Sequence, residues 1–180
     1  MKKPKIASDW IAGCAGCHMS LLDIDERIAL VAELADIRAT PITDLKEPDE
    51  SGVDVGILEG GVNNTANEEV AHKMRKRAAI LVALGDCAVF GGVPAMRNFC
   101  GAEAALRRAY VETESTDDEG RIPDDPELAQ MTPVRALHEV VPVDIYVPGC
   151  PPDADTIFYV LSELIQGRKP EIKGDKLHWH

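Results

Sequence analysis

Hydrophobic and polar positions alternate between two periods along the chain. PKIASDW at 4–10 is a short β-prone run that ends at a glycine-containing loop, which predicts a strand. Leu21, Ile24, Ile28, Val31 and Ala35 then recur at three- and four-residue spacing. That is the period of one helix face and predicts a helix over about 18–36. Ser20 with Asp23 has the form of a capping box at its start. DIRATPI at 36–42 reads as a second strand, and LKEPDESG at 45–52 as a polar loop. VDVGILEGG at 53–61 is an apolar, β-branched strand stopped by two glycines. Thr65 with Glu68 signals another helix start, and Arg75, Lys76 and Arg77 suit the negative end of that helix, at about 65–78. AAILVALGDC at 78–87 is almost continuously apolar, the pattern of a central parallel strand buried on both faces.

The second half repeats the alternation. Residues 91–112 read as loop and then helix, VDIYVPGC at 143–150 as a last strand, and DADTIFYVLSELIQG at 153–167 as a last helix ended by Gly167. Between them, 113–131 is acidic and carries prolines, so it reads as a surface insertion. Strands alternating with helices predict βαβ units: an α/β domain with a flavodoxin-like, doubly wound parallel sheet. In such folds ligands sit outside the carboxyl ends of the strands. The 180 residues are expected to form one domain, 1–180, with the insertion at about 113–131 as its elaboration.

Composition narrows the function classes. The chain is 45% hydrophobic and carries a net charge of −12. Phosphate neutralisation needs clustered Lys and Arg, so nucleic acid is not an expected partner. No stretch reaches the roughly 18 apolar residues of a membrane span, and MKKPKIASDW lacks the apolar core of a secretory signal. The expected compartment is the cytoplasm, where cysteines serve more as metal ligands or catalytic groups than as structural disulfides.

Cys14 and Cys17 form a C-x-x-C pair after the first predicted strand, Cys87 ends the strand at 78–87, and Cys150 ends the strand at 143–150. All lie at carboxyl ends of predicted parallel strands, so the four sulfurs can meet on one edge. Cys100 lies in or near a helix start and does not share that placement. Four converging thiolates fit a zinc site or an iron–sulfur cluster. One close pair with two distant singles suits a cluster wrapped by several loops better than a zinc ribbon. Gly13, Gly16, Gly85, Gly91, Gly92 and Gly149 flank the cysteines and let backbone N–H groups approach. Pro148, Pro151 and Pro152 stiffen the last loop. A thioredoxin-like exchange at Cys14 and Cys17 is the competing chemistry, and a flavodoxin-like flavin module a third reading. His18 reads as a partly exposed loop residue or a donor behind the pair. Glu59, ending the strand at 53–61, could carry protons, tune a cluster, or be a carboxylate satisfied by loop N–H groups. His72, His138, His178 and His180 show no metal spacing, although His178-Trp-His180 invites adventitious metal.

GCAGCHMSLLDIDE, ILEGGV, ALGDCAVFGGVPAMRN and VPGCPP, in that order, resemble the small subunit of nickel–iron hydrogenases, in its soluble NAD-reducing form. The likeness runs over most of 5–167. It implies one 4Fe–4S cluster at the carboxyl ends of the strands, held by Cys14, Cys17, Cys87 and Cys150, with no catalytic residue on this chain. It implies a hydrogenase large subunit bearing the Ni–Fe centre and a diaphorase carrying flavin, further iron–sulfur clusters and NAD. Many relatives place an acidic residue where this chain has His18. The related quinone-reductase subunit uses adjacent cysteines, whereas Ala15 and Gly16 separate Cys14 from Cys17.

Overall fold

The computed structural model describes residues 3–48, 50–117 and 119–177; the His178-Trp-His180 tail lies outside them. In chain order the elements are β1 (Lys5–Trp10), α1 (Gly16–Leu22), α2 (Arg27–Leu34), β2 (Asp36–Ala39), β3 (Val53–Glu59), β4 (Val62–Asn64) and α3 (Thr65–Arg77). There follow β5 (Ala78–Leu84), α4 (Gly85–Phe90), a 3₁₀ helix (Val93–Phe99), α5 (Gly101–Tyr110), β6 (Met131–Arg135), β7 (Ile145–Val147) and α6 (Ala154–Ile165). Short 3₁₀ turns occupy Leu137–Glu139 and Gly174–Lys176.

The main sheet has the order β2-β1-β3-β5-β7 and every pairing is parallel. That is the flavodoxin-like order, with its switch of direction between β1 and β3. One face of β3, β5 and β7, through Val55, Ile57, Val82, Leu84, Ile145 and Val147, packs on Ile24, Val31 and the α6 stripe Ile157, Val160, Leu161 and Leu164. The opposite face, through Leu58, Leu81 and Ala83, packs on Ala71 and Met74 of α3 and Ala88 and Val89 of α4. Neighbours 81–84 thus point to alternate faces and are buried on both, which accounts for the unbroken apolar run.

Several expected elements take different bounds. The helix expected over 18–36 is two helices, because Asp25 adopts a left-handed φ of 55°. Asp tolerates that region better than most residues, and the turn drops Ile24 into the core with no exposed surface. Ser20 is not a cap: it lies inside α1 and donates to the Pro152 carbonyl at 2.6 Å. The cap of α3 is Asn64, whose side chain accepts from Asn67 N–H at 2.8 Å, while Glu68 pairs with Arg135 at 2.7 Å. The strand expected over 53–61 stops at Glu59. Gly60 and Gly61 turn the chain, and β4 forms a separate antiparallel ribbon with β6. The Arg97 guanidinium spans that ribbon, bonding the Asn63 and Thr132 carbonyls. The strand expected over 78–87 ends at Leu84, so Gly85, Asp86 and Cys87 open α4. The strand expected over 143–150 holds only Ile145–Val147. Pro148 beyond it has no N–H for a ladder.

Candidate functional site

Because β1, β3, β5 and β7 are parallel, their carboxyl ends share one edge, and the loops leaving it carry the cysteines. Cys14 lies in the loop after β1 and Cys17 in the first turn of α1. Cys87 is the third residue of α4, not the end of a strand, and Cys150 is the third residue beyond β7. The structure brings these four thiols within electrostatic reach of one another: Cys17 feels Cys87, Cys14 and Cys150, and Cys87 feels Cys150 and Cys14. Cys14 and Cys150 are exposed, while Cys17 and Cys87 are half-buried. Cys100 is exposed at the start of α5, its thiol donating to the Arg97 carbonyl at 3.3 Å.

Hydrogen bonds fasten the loops to each other. Asp86 N–H donates to the Gly149 carbonyl at 2.9 Å, and the Asp86 carboxylate accepts from Gly149 N–H at 2.7 Å. That pair locks the Cys87 turn to the Cys150 loop. Ser20 locks the same loop to α1 through Pro152. Ile11 N–H reaches the Glu59 carbonyl at 2.9 Å, and Ala12 and Gly61 exchange bonds of 3.1 and 2.8 Å, which fix the approach to Cys14. Asp86 escaped the sequence reading, which gives Ser20 the different role of a helix cap. The motif GDC placed Asp86 beside a cysteine, yet its partner is 63 residues away.

Two glycines leave room that cysteines take. A Cβ on Gly85 would overlap Cys17 Sγ, and one on Gly92 would stand 2.9 Å from Cys87 Sγ. Both have positive φ, 81° and 52°. The backbone is therefore drawn against the thiols, and Val93 N–H donates to Cys87. Burial foremost, then the Glu59 carboxylate and the neighbouring thiols, push the Cys17 thiol far above its ordinary range. Burial and Cys150 push Cys87 the same way. For Cys17 and Cys87 this is the opposite of the shift that a nucleophilic exchange thiol needs. Among the described residues no three His, Cys, Asp or Glu side chains close on a single metal ion. The donor set is all sulfur and drawn from three separate loops, a set that fits a thiolate-held metal centre, iron–sulfur clusters included.

His18 corrects the expectation of a partly exposed loop residue: it has no exposed surface. Glu59, only 2% exposed, accepts through Oε2 from His18 N–H at 2.7 Å and from the His18 ring at Nδ1 at 2.5 Å. His18 Nε2 meets the Ser8 hydroxyl at 3.0 Å. Of the roles open to Glu59, satisfaction by backbone N–H is thus present, although the donor belongs to the first turn of α1 and not to a loop. A residue flanked by Cys17 and Met19 carried no periodic sign of burial, because α1 is only seven residues long.

A parallel α/β domain with a thiol-lined carboxyl edge belongs to the class of flavodoxin-like folds. The profile of the NADH ubiquinone oxidoreductase 20 kDa subunit matches residues 14–164, and the chain belongs to that family. Among its relatives, the delta subunit of the NAD-reducing hydrogenase HoxS of Cupriavidus necator is 40% identical over 169 residues, covering 92% of this chain and 80% of that one. A subunit of the F420-non-reducing hydrogenase of Methanothermobacter marburgensis is 36% identical over 178 residues, and the chain spans 58% of its length. The crystal structure of an NAD+-reducing [NiFe]-hydrogenase in the H2-reduced state superimposes with a TM-score of 0.94 at 40% identity, over 99% of this chain and 100% of that one. The [NiFeSe] hydrogenase of Desulfomicrobium baculatum shares the fold, with a TM-score of 0.60 at 18% identity, over 97% of this chain and 68% of that one. The resemblance to the small subunit of NAD-reducing nickel–iron hydrogenases is thereby borne out, as is the α/β class. No helix among the described residues is long and apolar enough to cross a membrane.

Proposed function

We propose that this chain is the electron-transfer small subunit of a cytoplasmic NAD-reducing nickel–iron hydrogenase. Cys14, Cys17, Cys87 and Cys150 would hold one 4Fe–4S cluster. When bound, that cluster supplies a one-electron carrier between hydrogen oxidation and NAD reduction. The hydrogen chemistry belongs to a large subunit with the Ni–Fe centre. The NAD chemistry belongs to a diaphorase with flavin and further iron–sulfur clusters. The observation that carries the reading is the set of four thiols on one sheet edge, with Gly85 and Gly92 set against two of them. The chain's residues do three things there: the cysteines bind, Asp86 and Ser20 hold the loops in register, and the Val93 N–H faces the Cys87 sulfur. Visible and EPR spectra of the anaerobically purified complex test it. Iron–sulfur absorbance assigned to this chain supports it; flavin absorbance alone, or neither, contradicts it.

In this reading the large subunit docks on the 3₁₀ helix Val93–Phe99. With three residues per turn, Val93, Met96 and Phe99 share one face, and they are 67%, 63% and 93% exposed. Gly92, set against the Cys87 sulfur, directly precedes that helix. Burying one such side chain stabilises an interface by about 1.5–3 kcal/mol, so Phe99→Glu is expected to weaken large-subunit binding at least about tenfold. Co-purification and the melting temperature of the chain check this. Unchanged affinity would place the interface elsewhere.

Residues 113–131 form the peripheral part of this single domain in our reading. Among its described residues, 113–130 contain no helix or strand, and Met131 opens β6. Thr113 and Thr116 bond each other at 2.6 Å, and Gly120 lies against Thr116 and the Tyr110 carbonyl. These contacts are local, and halving a loop changes closure entropy by only about 0.6 kcal/mol. Deleting 114–122 is expected to leave iron content unchanged and to lower the melting temperature by no more than a few degrees. Loss of iron or of hydrogen-linked activity would make the segment an interface or gate.

A further inference from the structure

The geometry points to a task for Glu59 beyond satisfying a backbone N–H: we propose that its buried carboxylate, anchored by His18 and Ser8, positions the Cys17 side of the cluster site and holds the cluster's reduction potential down. The inference rests on the iron–sulfur reading above.

Ser8, His18 and Glu59 are 6%, 0% and 2% exposed, and they come from β1, α1 and β3. The hydrogen bonds run Ser8 Oγ to His18 Nε2 at 3.0 Å, then His18 Nδ1 to Glu59 Oε2 at 2.5 Å. A neutral imidazole satisfies both contacts, donating from Nδ1 to the carboxylate and accepting the Ser8 hydroxyl proton at Nε2. The Trp10 ring lies edge-on to the His18 ring, centroids 5.5 Å apart, and closes that side. Burying a carboxylate is unfavourable unless it is hydrogen-bonded, and here two donors meet one oxygen, both from His18.

The donors belong to the residue directly after Cys17. Glu59 therefore grips the start of α1 at the ligand itself, while its backbone carbonyl holds Ile11 on the other side of the C-x-x-C loop. Its charge also acts on Cys17 more strongly than does any other charged group. A negative charge beside a redox centre favours the oxidised, less negative form and so lowers the potential. Neither Glu59 nor His18 has to pass a proton to do this.

The test is an EPR-monitored redox titration of the purified full complex, with iron and acid-labile sulfide per chain and a melting curve for each variant. Glu59→Gln keeps size and hydrogen-bonding capacity but removes the charge. It is expected to retain iron and shift the oxidised-to-reduced ratio at a fixed potential toward the reduced form by about tenfold, equivalent to 59 mV for a one-electron couple. Ser8→Ala, which leaves the carboxylate in place, is expected to shift that ratio by less than about threefold. A Gln variant with full iron and unchanged potential overturns the inference and leaves the iron–sulfur reading intact. If the Gln variant loses iron, Glu59→Asp decides. Retained iron with a ratio within about threefold of wild type supports the charge argument, and equal loss of iron overturns it. A wild-type complex with no iron in this chain defeats both the reading and the inference.

Discussion

Serine at Cys14, Cys17, Cys87 or Cys150 is expected to strip or degrade the cluster, while Cys100→Ser leaves it whole. An alkoxide is a harder and poorer ligand than thiolate for this iron. The four positions are reached from three loops that hydrogen bonds tie together, so losing one ligand leaves the other three where they are. Cys100, by contrast, is exposed and turned to the Arg97 carbonyl. Each variant complex would be assayed for iron per chain, for EPR under hydrogen, for hydrogen-driven NAD reduction, and for NADH-driven dye reduction. The four ligand variants should lose hydrogen-driven NAD reduction by orders of magnitude and keep most dye reduction, which needs only the diaphorase. If only the Cys14 and Cys17 variants matter, thiol–disulfide exchange replaces the cluster. If Cys100→Ser loses iron while Cys87→Ser or Cys150→Ser keeps it, the ligand set is wrong.

Gly85→Ala should be nearly as damaging, although it removes no ligand. Gly85 has a φ of 81°, where a side chain strains the backbone by about 1–2 kcal/mol. Its new Cβ would overlap Cys17 Sγ, so the sulfur must move or α4 must retreat. Retreat is opposed by the paired Asp86–Gly149 bonds of 2.9 and 2.7 Å, and movement of the sulfur is opposed by His18 in the grip of Glu59. We expect the chain to fold, with a melting temperature lower by several degrees, and to lose most of its iron. Gly167→Ala supplies the control: Gly167 too has positive φ, 73°, yet nothing lies within 4 Å of its Cβ. It should share the backbone strain and keep its iron. Equal iron in the Gly85 and Gly167 variants would show that the close approach to Cys17 does not matter.

The parallel sheet was legible because AAILVAL and VDVGILE bury residues on both faces, and periodicity reports burial directly. The convergence of cysteines was legible for the same reason, since strands that run in parallel deliver their ends to one edge. What escaped were features made by long-range contacts. The break at Asp25 depends on Ile24 finding a place in the core. The β4–β6 ribbon pairs a short strand with a segment far along the chain, bridged by Arg97. Cys87 looked like the end of a strand because GDC continues the apolar run, yet the positive φ of Gly85 starts a helix there. The burial of His18 comes from Ser8 and Glu59, on two different strands, and no local pattern announces it.

The central claim is that one 4Fe–4S cluster sits on these four thiols. Its most direct test is Mössbauer spectroscopy of the ⁵⁷Fe-enriched small subunit within the intact complex, read alongside iron and acid-labile sulfide counts for wild type and the four serine variants. The account predicts a 4Fe–4S signal assignable to this chain, about four iron and four sulfide per chain, absent or altered when any one of Cys14, Cys17, Cys87 and Cys150 is changed. A chain carrying a single zinc, or no metal and a reducible Cys14–Cys17 disulfide, would contradict it.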